Sequence, residues 1–337
     1  MLDVIASDPD AFFASWQAAR LARTDLKSMG AAGLTQAALV WRHWLAFCTV
    51  HGVAWDEAQS ADIVRFCQAI SPRSSLKKTS PVTRRRYWRV LRDLYAHALD
   101  SRLIKVNPAE GAQPPATERV PSLALSLPMW TALHEGLYEG LLGGDDFKAR
   151  RNRLALLLMM RAALTVREII GLTLDCAQIC ASFPEVSAGA DPSYSLRVRK
   201  AGGGHERVLQ LDPETSRALH AWLAVRPVGI PALHPGSRLI VGDRIGRAIA
   251  PNGLYNICQA HLAHSLVQAG LLAAPSPIAT LDPGALAHMG PNTLRNTCIA
   301  GWFNAGVPLA EIQRRCGFKD ASVMSRLGAH LASPFPL

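Results

Sequence analysis

The side chains with the most chemistry to offer in this sequence are its arginines. Between Arg73 and Arg92 stand eight basic residues, Arg73, Lys77, Lys78, Arg84, Arg85, Arg86, Arg89 and Arg92, with no acidic residue among them. A guanidinium presents a planar fork of N–H donors that matches phosphate or carboxylate oxygens. Arg85, Arg89 and Arg92 follow i, i+4, i+7 spacing, so on a helix they share one face while Tyr87 and Leu91 point elsewhere. The cluster also straddles an expected helix N-terminus, whose free N–H groups favour phosphate. The alternative is a solvated helix face, but such faces usually mix signs. The pattern points to the backbone of DNA or RNA.

A second basic group, Arg197, Arg199, Lys200 and Arg207, lies on two alternating runs that flank the turn AGGGH. A basic β-hairpin can read a groove or a backbone, although exposed strand edges also carry such charges. Other side chains have less to offer. Cys176 and Cys180 stand at i, i+4 on an apparent helix, but no second ligand pair has metal-site spacing, so no metal is expected. His261 and His264 sit on an amphipathic stretch and read as packing or surface groups. GLLGGDD near residue 140 and AGGGH near residue 201 match no phosphate-loop spacing and read as turns. No cofactor is implied.

These groups need elements to hold them. Residues 1–32 read as an N-terminal arm or helix. Helical spacing then recurs in TQAALVWRHWLAFCTVHG, SADIVRFCQAIS and TRRRYWRVLRDLYAHALDSR, with Thr35, Ser60 and Thr83 as expected caps. Residues 33–110 thus form an all-α unit. Residues 111–127, rich in proline and without periodicity, read as a linker. Residues 128–337 are mostly helical again, with one β-hairpin. The fold class expected is mainly α with a small β-sheet (α+β), in two domains.

The composition agrees. A chain of 337 residues supplies two domains of roughly 100–200 residues. With 49% hydrophobic and 18% charged residues, it can bury real cores and is not disordered by composition. The net charge of +10 favours polyanionic partners. No membrane is expected, since the apolar run Leu154 to Met160 is cut by Arg161, far short of about 20 residues. The start MLDVIASDPD lacks the pattern of a signal peptide. Seven cysteines, an odd number, suit a reducing cytoplasm, so a cytoplasmic, nucleoid-associated location is expected.

Taken in order, several segments resemble the tyrosine recombinase (phage integrase) family. In the first unit these are LTQAALVWRHWLAFC, ADIVRFCQAI and SPVTRRRYWRVLRDLYAHALDSRLIKVNPA, the last ending at Asn107 and Pro108 like the family's exit from its core-binding domain. In the second they are ALTVREIIGLTL, RVRKAGGGHERVLQL and NTLRNTCIAGWFNAGVPLAEIQRRCGF. The likeness covers about residues 33–330. It implies an α-helical core-binding domain, a linker and a catalytic-type domain that hold duplex DNA between them. In such enzymes a tyrosine attacks a phosphodiester and stays attached. Two arginines stabilise the transition-state charge, while a lysine and histidines move protons.

Carried over position by position, the resemblance places the first arginine at Thr165 and the lysine at Lys200, with Gly202 an equal candidate. It places the first histidine at Asn292, the second arginine at Arg295, the next histidine at Phe318 and the nucleophile at Leu327. The register from Arg295 through Gly317 to Leu327 is unbroken. The five tyrosines are Tyr87, Tyr95, Tyr138, Tyr194 and Tyr255, so none follows Tyr255. Ser322 and Ser325 lie near the nucleophile position without an evident base. Arg161 and Arg167 are candidates to replace the charge missing at Thr165. Arg295 reads as a phosphate contact, its structural alternative being an ion pair with Glu168.

The expectation is a sequence-specific double-stranded DNA-binding protein with this fold and no strand cleavage, a transcriptional regulator or recombination accessory factor. Its partners would be duplex DNA, further copies of itself or an active recombinase. A divergent active recombinase and a protein-interaction subunit are the alternatives.

Overall fold

The computed structural model describes residues 8–22, 30–70, 79–116, 122–138, 146–179, 193–199, 205–226, 237–272, 286, 288–318 and 321–331. The chain divides into two compact units, Met1–Val120 and Pro121–Leu337.

The first unit is built from helices α1 (Pro9–Ala22), α2 (Ala31–His51), α3 (Ser60–Ala69), α4 (Pro81–Asp100) and the short α5 (Pro108–Gly111). Its core is aromatic, and several of its buried polar atoms find partners. Trp44 Nε1 donates to Tyr95 Oη at 2.9 Å, and Tyr95 Oη donates to the Trp55 carbonyl at 2.6 Å. Trp88 Nε1 reaches the Ala109 carbonyl at 2.8 Å. Buried tryptophans and tyrosines favour such arrangements because one end is apolar and the other polar.

The segment read as a possible arm is part of this core. Phe12 and Trp16 on α1 are buried, and Trp41 Nε1 donates to the Pro9 carbonyl at 3.1 Å. Arg20 of α1 pairs with Asp93 of α4 at 2.7 Å. The helix starts also differ from the reading. α2 begins at Ala31, so Thr35 lies within it and its hydroxyl donates back to the Ala31 carbonyl. Gln59 caps α3, its N–H donating to Asp62 Oδ2 at 2.9 Å. Ser80 caps α4, accepting from Thr83 N–H. Pro81 explains that start, since proline suits the first helical position. At the far end of α4, Asn107 accepts from Ala109 N–H and donates to the Arg92 carbonyl, which fixes the Asn-Pro corner.

The second unit contains α6 (Leu127–Gly136), α7 (Asp146–Met160), α8 (Val166–Gly171), a 3₁₀ turn (Leu174–Cys176) and strands β1 (Ala177–Ile179), β2 (Tyr194–Val198) and β3 (Arg207–Gln210). Helices α9 (Pro213–Val225), α10 (Pro251–Gln268), α11 (Pro291–Asn304) and α12 (Leu309–Cys316) follow, then a 3₁₀ segment (Ala321–His330). The apolar run Leu154–Met160 is the buried C-terminal half of α7, and α9, α10 and α11 pack against this helix. The strands form an antiparallel sheet in the order β1-β2-β3, with Leu196 opposite both Ala177 and Leu209. Mainly helical structure with a small sheet is therefore the observed fold class, and β1 is a strand that the sequence reading did not foresee.

Cys176 closes the 3₁₀ turn that leads into β1, not a helix, so it cannot share a helical face with residue 180; Cys180 lies outside the described residues. A strand of three residues that follows directly on a 3₁₀ turn carries little helical or alternating signal, which is why this region misreads. Residues 122–125, read as linker, are bound to the second unit. Ser122 N–H donates to the Arg326 carbonyl at 3.1 Å, and Leu125 N–H donates to Thr297 Oγ1 at 2.8 Å.

Candidate nucleic-acid interface

Thr165 caps α8 and is locked into a capping box. Its N–H and hydroxyl donate to Glu168 Oε2 at 2.8 and 2.9 Å, and its oxygen accepts from Glu168 N–H. The other carboxylate oxygen, Oε1, accepts from Arg207 Nη1 at 2.6 Å. Arg207 Nε donates to the Arg315 carbonyl at 2.6 Å. Burial pushes the Glu168 carboxyl upward, but the hydrogen bond and charge of Arg207, with the Thr165 donors, hold it below the usual range. Arg207 is therefore an internal ion-pair member, and its assignment to a DNA surface is corrected. The alternation on β3 puts Arg207 and Leu209 on the inner face and Val208 and Gln210 outside.

Glu168 is thus taken, and it is not the partner of Arg295. Arg295, on the first turns of α11, donates its Nε to the Ala163 carbonyl at 2.7 Å. Its guanidinium carbon lies 4.8 Å from the centroid of the Phe318 ring, within cation–π range. Among the described residues its Nη groups meet no carboxylate. Ala163 adopts φ +50, a left-handed conformation uncommon for a residue with a Cβ. Asn292 is exposed one turn before Arg295. Phe318 sits just past Gly317, which ends α12 at φ +65; Phe318 N–H returns to the Gln313 carbonyl at 3.0 Å, completing a Schellman turn.

Leu327 is 3% exposed. It packs in a small apolar cluster with Ala163, Cys298, Ile299, Trp302, Ile312, Cys316 and Met324, with Phe318 against its side. Arg161 does not stand in for the charge absent at Thr165, since it pairs with Asp212 at 3.1 Å and Glu214 at 3.5 Å. Arg167, on α8, is exposed. Arg199 bonds to Asp175, whose carboxyl is held low first by the Thr173 hydroxyl and then, against slight desolvation, by Arg199. Arg197 on β2 is half-buried. Lys200 and Gly202 lie outside the described residues, as do Arg73, Lys77 and Lys78.

On α4 of the first unit, Tyr87, Trp88, Leu91, Leu94 and Tyr95 face the core. Arg86, Arg89 and Arg92 are exposed; Arg84 and Arg85 are half-buried. Arg84 Nε is held by the Thr79 carbonyl at 3.1 Å, and Arg86 Nη1 by Gln36 Oε1 at 3.1 Å. Arg92 lies over the Trp88 ring at 5.0 Å. Sequence reasoning missed the Ala163 carbonyl and the Glu168–Arg207 pair. Thr165-x-x-Glu168 was a legible capping box, whereas no spacing announced its link to β3.

The second unit, with its three-stranded sheet, buried α7 and the α11–α12 block, has the tyrosine-recombinase fold. The chain superposes on the XerH site-specific recombinase bound to palindromic difH substrate in a post-cleavage complex, with a TM-score of 0.65 at 14% identity over 96% of this chain and 81% of that one. A lambda integrase (75-356) dimer bound to a COC′ core site gives 0.60 at 10% identity, covering 97% of this chain and 98% of that one. No protein-family model matches the chain. The sequence is 25% identical over 287 residues to tyrosine recombinase XerC of Pseudomonas putida strain F1, covering 85% of this chain and 81% of that protein. It is 31% identical over 165 residues to the XerC of Azotobacter vinelandii, covering 49% and 48%. The chain thus has the fold of the tyrosine recombinases (phage integrases) and is similar in sequence to XerC over most of its length.

Proposed function

We propose that the chain is a sequence-specific double-stranded DNA-binding protein that keeps the recombinase fold and does not cut strands, serving as a transcriptional regulator or recombination accessory factor. The observation that carries this reading is the contrast between two positions of one block. Arg295 is held at Nε and meets no carboxylate among the described residues, while Leu327, in the nucleophile's register, is packed in a cluster with Met324, Ile299 and Ile312. A phosphate contact needs only a fixed guanidinium, whereas the covalent route needs a hydroxyl that this position lacks. Thr165, Asn292 and Phe318 supply no cation or imidazole either.

The contacts proposed are Arg86, Arg89 and the adjoining Lys77, Lys78, Arg84 and Arg85 from the first unit, with Arg167, Arg197, Arg199, Lys200 and Arg295 from the second. Structures of relatives are described as dimers and tetramers on DNA, lambda integrase at a COC′ core site and at a Holliday junction among them. Assembly of several copies, or of this chain with an active recombinase, on one DNA site follows as part of the proposal. Among the described residues, no helix is long and apolar enough to cross a membrane.

The test has two arms. Binding to duplex DNA should weaken steeply as salt rises, because phosphate contacts release counterions. Incubation with a nicked suicide substrate should leave no covalent adduct; an adduct would establish the second reading, a divergent active recombinase, which the match to XerC over most of the chain favours. Salt-independent binding would sink the phosphate contacts themselves.

A further inference from the structure

The second unit holds two arginines in opposite ways. Arg207 has Nε on the Arg315 carbonyl and Nη1 on Glu168, with its side chain 4% exposed. Arg295 is gripped at Nε alone, by Ala163, and laid against an aromatic ring, with its Nη groups free of any carboxylate among the described residues. The first is the pattern of an arginine that builds the fold. The second leaves the fork available.

We propose that Phe318 is a positioning residue, whose ring and the Ala163 carbonyl together preset the Arg295 guanidinium to receive a DNA backbone phosphate. The inference rests on the reading of Arg295 as a phosphate contact. The Nε hydrogen bond fixes where the guanidinium sits, and the Phe318 ring backs it at 4.8 Å. An arginine side chain otherwise loses much rotamer freedom on binding; a group already held in place loses less.

Both supports are themselves anchored. The Phe318 backbone is set by the Schellman turn through Gly317, and its carbonyl accepts from Gln313 Nε2 at 3.4 Å. Ala163 is fully buried, and its positive φ directs its carbonyl at Arg295. Backbone held in a sparsely populated region persists only where its surroundings impose it, and it tends to cluster at functional sites. The ring adds a property that an aliphatic side chain lacks, a negative face towards the cation.

The experiment measures affinity of the full chain for a 40-base-pair duplex of random sequence, across a salt series, with melting temperatures recorded for every variant. R295A should weaken binding about tenfold and lower the slope of log K on log salt by about one. F318L, which keeps apolar volume but not the π face, should weaken binding about three- to fivefold. F318W should bind like the wild type. In an R295A background F318L should have no further effect, since the ring acts only through the guanidinium. Equal losses from F318L with and without Arg295, or wild-type binding by F318L, would overturn the positioning role alone. Wild-type binding by R295A would overturn the parent reading of Arg295.

Discussion

Glu168 and Arg207 join helix α8 to strand β3 through an ion pair at 2.6 Å whose side chains are 7% and 4% exposed. The same carboxylate caps α8 through Thr165, and the same guanidinium holds the end of α12 through the Arg315 carbonyl. One pair therefore ties three elements beneath the proposed DNA surface.

Removing one partner should be costly. Glu168→Ala strands a buried cation and frees the cap, and should lower unfolding stability by about 3–5 kcal/mol. Replacing both residues at once, as Glu168→Leu with Arg207→Met, should cost less than either single change. Urea unfolding of the three variants checks this ordering.

Gly317→Ala meets two obstacles. The residue lies at φ +65, and a Cβ would stand 2.7 Å from Arg207 Nη1 and 3.3 Å from the His205 carbonyl. The left-handed backbone alone costs roughly 1–2 kcal/mol, and Arg207 cannot move without losing Glu168. A loss of about 2 kcal/mol or more is expected, read as a shift of the urea midpoint.

Leu327→Tyr restores the nucleophile's side chain without its surroundings. The added volume enters a packed cluster and should cost about 1–3 kcal/mol. With Thr165 in place of the first arginine, no adduct should form on a nicked duplex. A covalent band on a denaturing gel would show that the remaining groups suffice.

Arg86 and Arg89 are exposed on α4. Their joint replacement by alanine should leave the melting temperature nearly unchanged and reduce the salt slope of DNA binding by about two. An unchanged slope would place the DNA elsewhere on the molecule. Arg84 and Arg85 are unsuitable for this test because both are half-buried.

Acid should destabilise the second unit in two stages. Burial lowers the pKa of His261 to about 4, against a slight upward pull from the Leu133 carbonyl. Its unfolded form protonates near pH 6.5. Between those values the unfolded chain binds more protons, so stability falls as pH falls, by up to about 1.4 kcal/mol per pH unit. Glu214 follows: burial raises it, but His134, Tyr138 and Arg161 bring it down to about 2. Its contribution is present above the unfolded carboxyl pKa and is lost as pH drops towards about 2. The urea midpoint measured from pH 7 to 3 should therefore begin to fall near pH 6.5, and His261→Gln should flatten that first step.

The elements that bury long periodic stretches were legible in the sequence. Tyr87, Leu91, Leu94 and Tyr95 face the core of α4 as their spacing requires, and the two runs around AGGGH pair as strands. Local chemistry at helix starts was less so: Thr35, Ser60 and Thr83 each have cap-forming side chains, yet Gly30, Gln59 and Ser80 hold the positions. The proline at the first turn of α4 was the overlooked signal. Arg207 misread for a different reason. A basic residue on a short strand looks solvated until its partner is known, and Glu168 stands far away in the sequence on another element. The aromatic shelf under Arg295 was hidden in the same way, because a contact between a helix and the residue just beyond the end of another leaves no trace in spacing.

Ser122 has a consequence for chain order. Its N–H meets the Arg326 carbonyl, and its own carbonyl accepts from His330 Nε2 at 2.7 Å. The extended segment at Ser122, by which the polypeptide comes into the second unit, thus lies beside the 3₁₀ segment Ala321–His330. A circularly permuted version, with a short peptide bridging from the end of that segment back to Ser122 and new termini cut in a surface turn, should keep the same core.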